Sequence, residues 1–170
     1  MKRNKILNSD QIKRKLERMA RQILENHYSE KELILLGIKG QGLEVANRLV
    51  EILNSIGKIK VVSESISFKK NDPIHSEIKC SCEESHFEGK VVVVVDDVLN
   101  SGRTMIYAVK HVLDTEPKGV YTATLVDRIH RSFPVRADYC GLSLSTHVDQ
   151  HISVALDKKD EDKDSVFLEL

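Results

Sequence analysis

Five consecutive valines, Val91 to Val95, are the strongest hydrophobic signal in the chain. A run without alternation has no wet face, so it predicts a strand buried on both sides, as at the centre of a parallel sheet. Asp96 and Asp97 follow where such a strand is expected to end. A polar turn containing Gly102 comes next, and then Arg103 to Leu113 in a helical pattern. The same order occurs earlier in the chain. Leu33 to Ile38 is apolar, Lys39-Gly40-Gln41-Gly42 is a glycine turn, and a helix is expected from about Leu43 to Leu53. Ile12, Leu16, Met19, Ile23 and Leu24 share one face of a helix over 9–27, with Ser9 or Asp10 as its cap. Further strands are expected at 60–68, 120–126, 152–157 and 166–170. Two irregular polar stretches remain, at 69–88 and 127–141, and a loop as long as the first is usually functional.

Strand–turn–helix units carry a chemical expectation, because ligands of open α/β sheets bind outside the carboxyl ends of the strands. A turn feeding a helix N-terminus offers unpaired N–H groups and the positive end of the helix dipole, which suit a phosphate. Gly102 lets backbone approach closely, and the Ser101 and Thr104 hydroxyls can add hydrogen bonds. Asp96 and Asp97 repel a phosphate but suit sugar hydroxyls or a divalent cation. A phosphorylated sugar matches both halves of the motif.

Composition narrows the remaining choices. At 170 residues the chain is expected to be one domain over 1–170. Lysine plus arginine and aspartate plus glutamate both number 26, so any nucleic-acid contact needs a local patch. No apolar run approaches membrane-spanning length, and the basic start has no apolar core of a signal peptide behind it. Three cysteines make no disulfide framework, and a cytoplasmic setting is expected. His75, Cys80, Cys82 and His86 could each ligate zinc, but their spacing is not a standard zinc pattern. An unliganded loop or hairpin is the expectation there.

The segment Asp96-Asp97-Val98-Leu99-Asn100-Ser101-Gly102-Arg103-Thr104 resembles the phosphoribosyl pyrophosphate (PRPP) signature of the type I phosphoribosyltransferases. With Leu125-Val126-Asp127-Arg128, His130-Arg131 and Pro134 to Tyr139, the chain is most similar to the pyrimidine-operon attenuator (PyrR) family, whose members also have uracil phosphoribosyltransferase activity. The resemblance implies a doubly wound parallel sheet with a small hood built from the chain ends and roughly 127–151. It implies transfer from PRPP to uracil, giving UMP and pyrophosphate, with Mg²⁺ carried by PRPP and also met by Asp96 and Asp97. Those two acids would hold the ribose hydroxyls, and Asn100, Ser101, Gly102, Arg103 and Thr104 the 5′-phosphate. Lys39, Gly40, Gln41 and Gly42 would face pyrophosphate, with Lys39 among the catalytic groups. Asp127, Arg128 and the backbone near Tyr139 and Cys140 would surround the base. The stretch 69–88 falls where the family has a flap that closes over the substrate, and a homodimer is the family's usual assembly.

Three departures from the family pattern matter. Asn100 replaces the aspartate of the similar 6-oxopurine transferases, and an amide is no general base, which favours a pyrimidine. Gln41 replaces the usual arginine of the pyrophosphate loop, which predicts weaker pyrophosphate binding or compensation by Lys39, Lys69 or Lys70. His130, Arg131 and Arg136 match a segment the attenuators use near RNA, but Glu17, Arg21 and a lysine-poor 142–151 segment depart from them. Fewer cations mean fewer counterions released, so tight, specific messenger-RNA binding is not expected. A purine transferase, an RNA-binding regulator and a non-catalytic nucleotide or PRPP sensor are the alternatives.

Overall fold

The valine run forms the spine of the larger of two sheets in the computed structural model, which describes residues 3–169. In chain order the first elements are β1 (Arg3–Asn8), α1 (Ser9–His27), β2 (Glu32–Ile38), α2 (Gln41–Ile56), β3 (Lys60–Ser67) and β4 (Lys79–Cys80). There follow β5 (Val91–Leu99), α3 (Arg103–Leu113), β6 (Gly119–Asp127), β7 (Tyr139–Ser143), β8 (His151–Ala155) and β9 (Ser165–Glu169). The six-stranded sheet has the order β4-β3-β2-β5-β6-β7, parallel except for β4. A smaller antiparallel sheet, β1-β9-β8, forms the hood. This is the doubly wound α/β class with a hood.

The valines show why both faces must be covered. Val91, Val93 and Val95 pack with the apolar stripes of α1 and α2, including Met19, Ile23 and Leu49. Val92 and Val94 point the other way, into a cluster with Met105, Ala108 and Val112 of α3 and the fully buried Phe87. Each fully buried valine side chain is worth about 1.5–3 kcal/mol of apolar transfer.

The structure departs from the sequence reading at three places. β5 does not stop before the acids but continues to Leu99, with Asp96 opposite Thr124 and Leu99 opposite Asp127 of β6. α1 is capped by Asn8, not Ser9 or Asp10. The Asn8 side chain accepts from the Gln11 N–H at 2.9 Å, and the Gln11 side chain accepts in return from the Asn8 N–H. Residues 139–143, expected to be irregular and part of the hood, are instead the edge strand of the main sheet. The hood therefore comes from the chain's ends and β8. It is fastened to the core by Arg48 of α2, whose guanidinium donates to the Asp164 carboxylate, the Asp157 carbonyl at 2.9 Å and Glu44 at 3.0 Å. Among the described residues no helix is long and apolar enough to cross a membrane.

Candidate active site

The two glycine turns meet at the carboxyl end of the sheet. Gly42, in the first turn of α2, lies so close under β5 that an added Cβ would be 2.8 Å from Asp96 Oδ1 and 3.0 Å from the Asp96 Cα. Gly40 turns the chain into α2 with φ of 110°, a left-handed conformation that favours glycine. Lys39 projects into solvent, and its backbone N–H donates to the Ile66 carbonyl at 2.8 Å, which ties the turn to the end of β3.

Between β5 and α3 the chain turns at Gly102, with φ of 86° and no side chain capping the helix. The uncapped first turn of α3 is thus available to an anion. This loop is braced from behind: the Ser101 carbonyl accepts from the Ser132 and Phe133 N–H groups at 2.9 and 3.1 Å. A Cβ on Gly102 would come within 2.5 Å of Val135 Cγ1, so the close approach also demands glycine. Ser101 Oγ accepts from the Arg103 N–H at 3.3 Å.

The end of β5 and the turn into α3 border an open cleft of about 760 Å³, its mouth included, lined by Asp96, the whole 98–105 segment, Lys70 and Asn71, with none of residues 39–42 in its wall. Asp96 is only 4% exposed. Burial first, and then the neighbouring Asp97 charge, push its carboxyl well above the ordinary range, while Lys70 across the cleft pulls the other way. Its Oδ1 accepts from the Asp97 N–H at 3.0 Å, and Asp97 itself is half-buried. Adjacent carboxylates, one of them buried, make a poor stability element and a good ligand for hydroxyls or a hard cation.

The residues expected around the base divide sharply. Asp127 lies at the end of β6 and is chelated by Arg131, with both carboxylate oxygens 2.5 Å from one guanidinium nitrogen. Arg128 is buried and donates to Asn100 Oδ1 at 3.0 Å, Thr146 Oγ1 at 2.6 Å and the His147 carbonyl at 2.8 Å. Both thus stand beside the Asn100–Thr104 turn. Tyr139 and Cys140 do not join them. Tyr139 faces α1, where its hydroxyl meets His27 Nε2 at 2.9 Å and Asn26 Nδ2 at 3.0 Å. The Cys140 carbonyl accepts from Arg18 of α1 at 3.0 Å. The reason is the β7 strand: it starts at Tyr139, level with Ala123, four residues short of the sheet's carboxyl end at Asp127.

Of the three basic residues that match the segment the attenuators use near RNA, two are turned inward. His130 Nε2 lies 2.8 Å from the Thr146 carbonyl, and Arg131 donates to the Asn100 and Val135 carbonyls at 3.0 and 2.8 Å. Arg136 stays exposed. Nor are the four candidate zinc ligands gathered. Cys80 and Cys82 Sγ are 3.6 Å apart, but His75 pairs with Asp72 and His86 faces Lys90. Among the described residues no group of three or more His, Cys, Asp or Glu side chains is placed to hold a metal.

Gln41 has an unforeseen partner. Its Oε1 accepts from the Leu156 N–H at 3.0 Å, so this side chain latches the Lys39–Gly42 turn to the hood. The Arg128 contacts to 146–148 were equally unforeseen. No local sequence pattern marks either one, because both span loops distant in sequence.

Residues 2–159 match the phosphoribosyl transferase domain family, the class that this fold and paired-acid cleft define. A relative from Alkaliphilus metalliredigens, named bifunctional protein PyrR, is 37% identical over 174 residues, covering 96% of this chain and 93% of its own. A protein of the same name from Macrococcus caseolyticus is 34% identical over 169 residues, covering 96% and 97%. The chain belongs to the type I phosphoribosyltransferases, within their PyrR family. Solved structures share the architecture at low identity. The hypoxanthine phosphoribosyltransferase of Trypanosoma cruzi superposes with a TM-score of 0.78 at 19% identity, covering 98% of this chain and 96% of that one. A hypoxanthine-guanine phosphoribosyltransferase from Bacillus anthracis gives 0.73 at 20% identity, covering 98% of both chains. Identity this low speaks for the fold alone.

Proposed function

We propose that the chain transfers the phosphoribosyl group of PRPP to uracil, forming UMP and pyrophosphate. The carrying observation is the buried Asp96, with half-buried Asp97 next to it, at the wall of an open cleft that also holds a glycine-turned helix N-terminus. The acids take the ribose hydroxyls, the first turn of α3 takes the 5′-phosphate, and the Lys39–Gly42 turn receives pyrophosphate. The bond from ribose C1′ to pyrophosphate oxygen breaks, the bond to uracil N1 forms, and the N1 proton is released. Catalysis is then mostly positional and electrostatic, because a developing cationic ribose is held beside fixed carboxylates.

The donor set also fits Mg²⁺, since Asp96 and Asp97 supply hard oxygens and their mutual repulsion falls when a cation shares them. Bound with PRPP, Mg²⁺ would neutralise charge on the leaving pyrophosphate. Asp97 is the more accessible of the two acids, and Asp96 positions it through the hydrogen bond to its N–H. With its amide oxygen committed to the hood, Gln41 offers pyrophosphate only the neutral N–H donors of its Nε2, so charge neutralisation falls to Lys39 and Lys70.

The choice of uracil rests on Asn100, which cannot act as a base toward a purine proton. The test is a base-exchange assay with PRPP and Mg²⁺, run in parallel with uracil, hypoxanthine, guanine and adenine. UMP as sole product is expected. Purine nucleotide would overturn the base assignment, and no product with any base would overturn turnover itself.

A further inference from the structure

Position 100 is held by two arginines at once. Arg131 donates to the Asn100 backbone carbonyl at 3.0 Å, and Arg128 donates to its side-chain Oδ1 at 3.0 Å. Arginine only donates, so the atom facing Arg128 must be the amide oxygen. The guanidinium cannot swing away to release it. It is 5% exposed and anchored by Thr146 Oγ1 and by the His147 and Val148 carbonyls at 2.6, 2.8 and 3.2 Å. Flipping the amide would set two N–H donors against a buried cation, leaving that cation without one of its acceptors. The Nδ2 group is therefore what Asn100 presents, and no described residue accepts from it.

Asn100 itself is exposed and lines the cleft, and it is the residue whose side chain joins the phosphate loop to the 127–131 segment. We propose that Arg128 and Asn100 form a base-selecting device in which Arg128 locks the Asn100 amide so that its two N–H donors face the ligand. Such a wall selects a nucleobase with a carbonyl acceptor beside its glycosidic nitrogen, as uracil has in its C2 carbonyl next to N1. It opposes a base that presents an N–H at that edge, as a 6-oxopurine does in its N7–H form. Asn100 is the specificity-determining residue and Arg128 a positioning residue that acts through it. The inference rests on the phosphoribosyl reading of the cleft, but its test does not need turnover.

Calorimetric titration with UMP and with ribose 5-phosphate separates the base from the sugar phosphate. In the intact chain UMP is expected to bind more tightly than ribose 5-phosphate. Asn100→Ala should weaken UMP about tenfold, the worth of one good hydrogen bond, and weaken ribose 5-phosphate far less, because position 100 can serve the phosphate only through a backbone N–H that the substitution keeps. Asn100→Asp keeps the Arg128 contact but turns a donor into an acceptor, and should weaken UMP further. Arg128→Gln should reproduce the Asn100→Ala effect and add nothing in the Asn100→Ala background, because the two act as one unit. Equal weakening of both ligands by Arg128→Gln would reduce it to a loop staple and overturn the device. So would additive effects, or UMP binding no tighter than ribose 5-phosphate. If Arg128→Gln fails to fold, the order of Asn100, Asn100→Ala and Asn100→Asp toward UMP decides alone, and an unchanged affinity overturns the proposal. Loss of uracil turnover in the intact chain, with these binding differences present, would fault the proposed reaction and not the device.

Discussion

The two ends of the main sheet treat a carboxylate in opposite ways. At the amino end, Glu32 of β2 lies between Lys60 and Lys90, 2.7 and 2.9 Å away. The Lys60 contact, then that of Lys90, pull its carboxyl down to about 2. At the carboxyl end, Asp96 of β5 has no such cation against it, is more deeply buried, and has Asp97 as its neighbour. Its carboxyl is driven upward. Both acids belong to central strands joined in one parallel ladder, so the sheet itself does not cause the difference. The cause is the company each acid keeps. One end of the sheet sets its acid between cations, and the other leaves its acid buried beside a second carboxylate, the arrangement that the proposed site would complete with a ligand.

The largest expected effects come from the unbalanced end. Asp97→Asn should lower kcat/KM by about two orders of magnitude or more, measured with PRPP and uracil, since a charged contact at the reacting sugar is lost. Activity near that of the intact chain would remove Asp97 from the sugar site. Asp96→Asn should also lose activity, yet raise stability. Because the folded carboxyl titrates above its unfolded value, the folded state keeps a proton that the unfolded chain has lost. The penalty is therefore absent in acid and appears as pH rises through that window. Removing the charge should gain about 1 kcal/mol near neutral pH, or roughly 3 °C in Tm. A lower Tm would show that the buried charge is compensated after all.

Gly42→Ala probes the same end through backbone. The new methyl would meet Asp96 at 2.8 Å from Oδ1 and 3.0 Å from Cα, and a strand backbone cannot yield as a flexible side chain does. The expected cost is about 1–3 kcal/mol in stability, with about tenfold lower kcat/KM as the aspartate moves. Thermal melts and kinetics on the same preparation check both numbers. Gly40→Ala is a useful contrast. No atom stands near its Cβ, so its cost comes from the positive φ alone.

How much of this was legible in the sequence depends on whether a feature is local. The valine run and the two glycine turns announce themselves, because periodicity and turn chemistry are read within ten residues. Their burial on two faces and their meeting at Gly42 and Asp96 follow from the parallel ladder. β7 was not legible. It holds Gly141, which reads as a strand breaker, yet a Cβ there would be 2.5 Å from the Leu125 carbonyl, so the strand needs its glycine. β1 buries only Leu7 and gives no alternation to detect. The inward turn of Arg131 and the burial of Arg128 were hidden for another reason. A basic cluster reads as surface charge until the loop carbonyls and the Asp127 carboxylate that absorb it are placed in space.

The smallest effect is at the balanced end, and its sign is the sharpest check on the comparison. Glu32 titrates near 2 when folded and near its ordinary value when unfolded, so its contribution is fully present above about pH 4.5. It fades as pH falls from there toward 2. Glu32→Gln should therefore flatten the acid limb of the stability profile, measured by urea unfolding between pH 2 and 6, and leave kcat/KM unchanged. Lys60 is 68% exposed at its side chain, so added salt should screen much of the effect. Asp96→Asn must do the reverse: it should leave stability below pH 4 untouched and raise it above. If both variants tilt the profile the same way, the two ends do not differ in charge balance. The unpaired aspartate would then lose its standing as the sheet's functional cost.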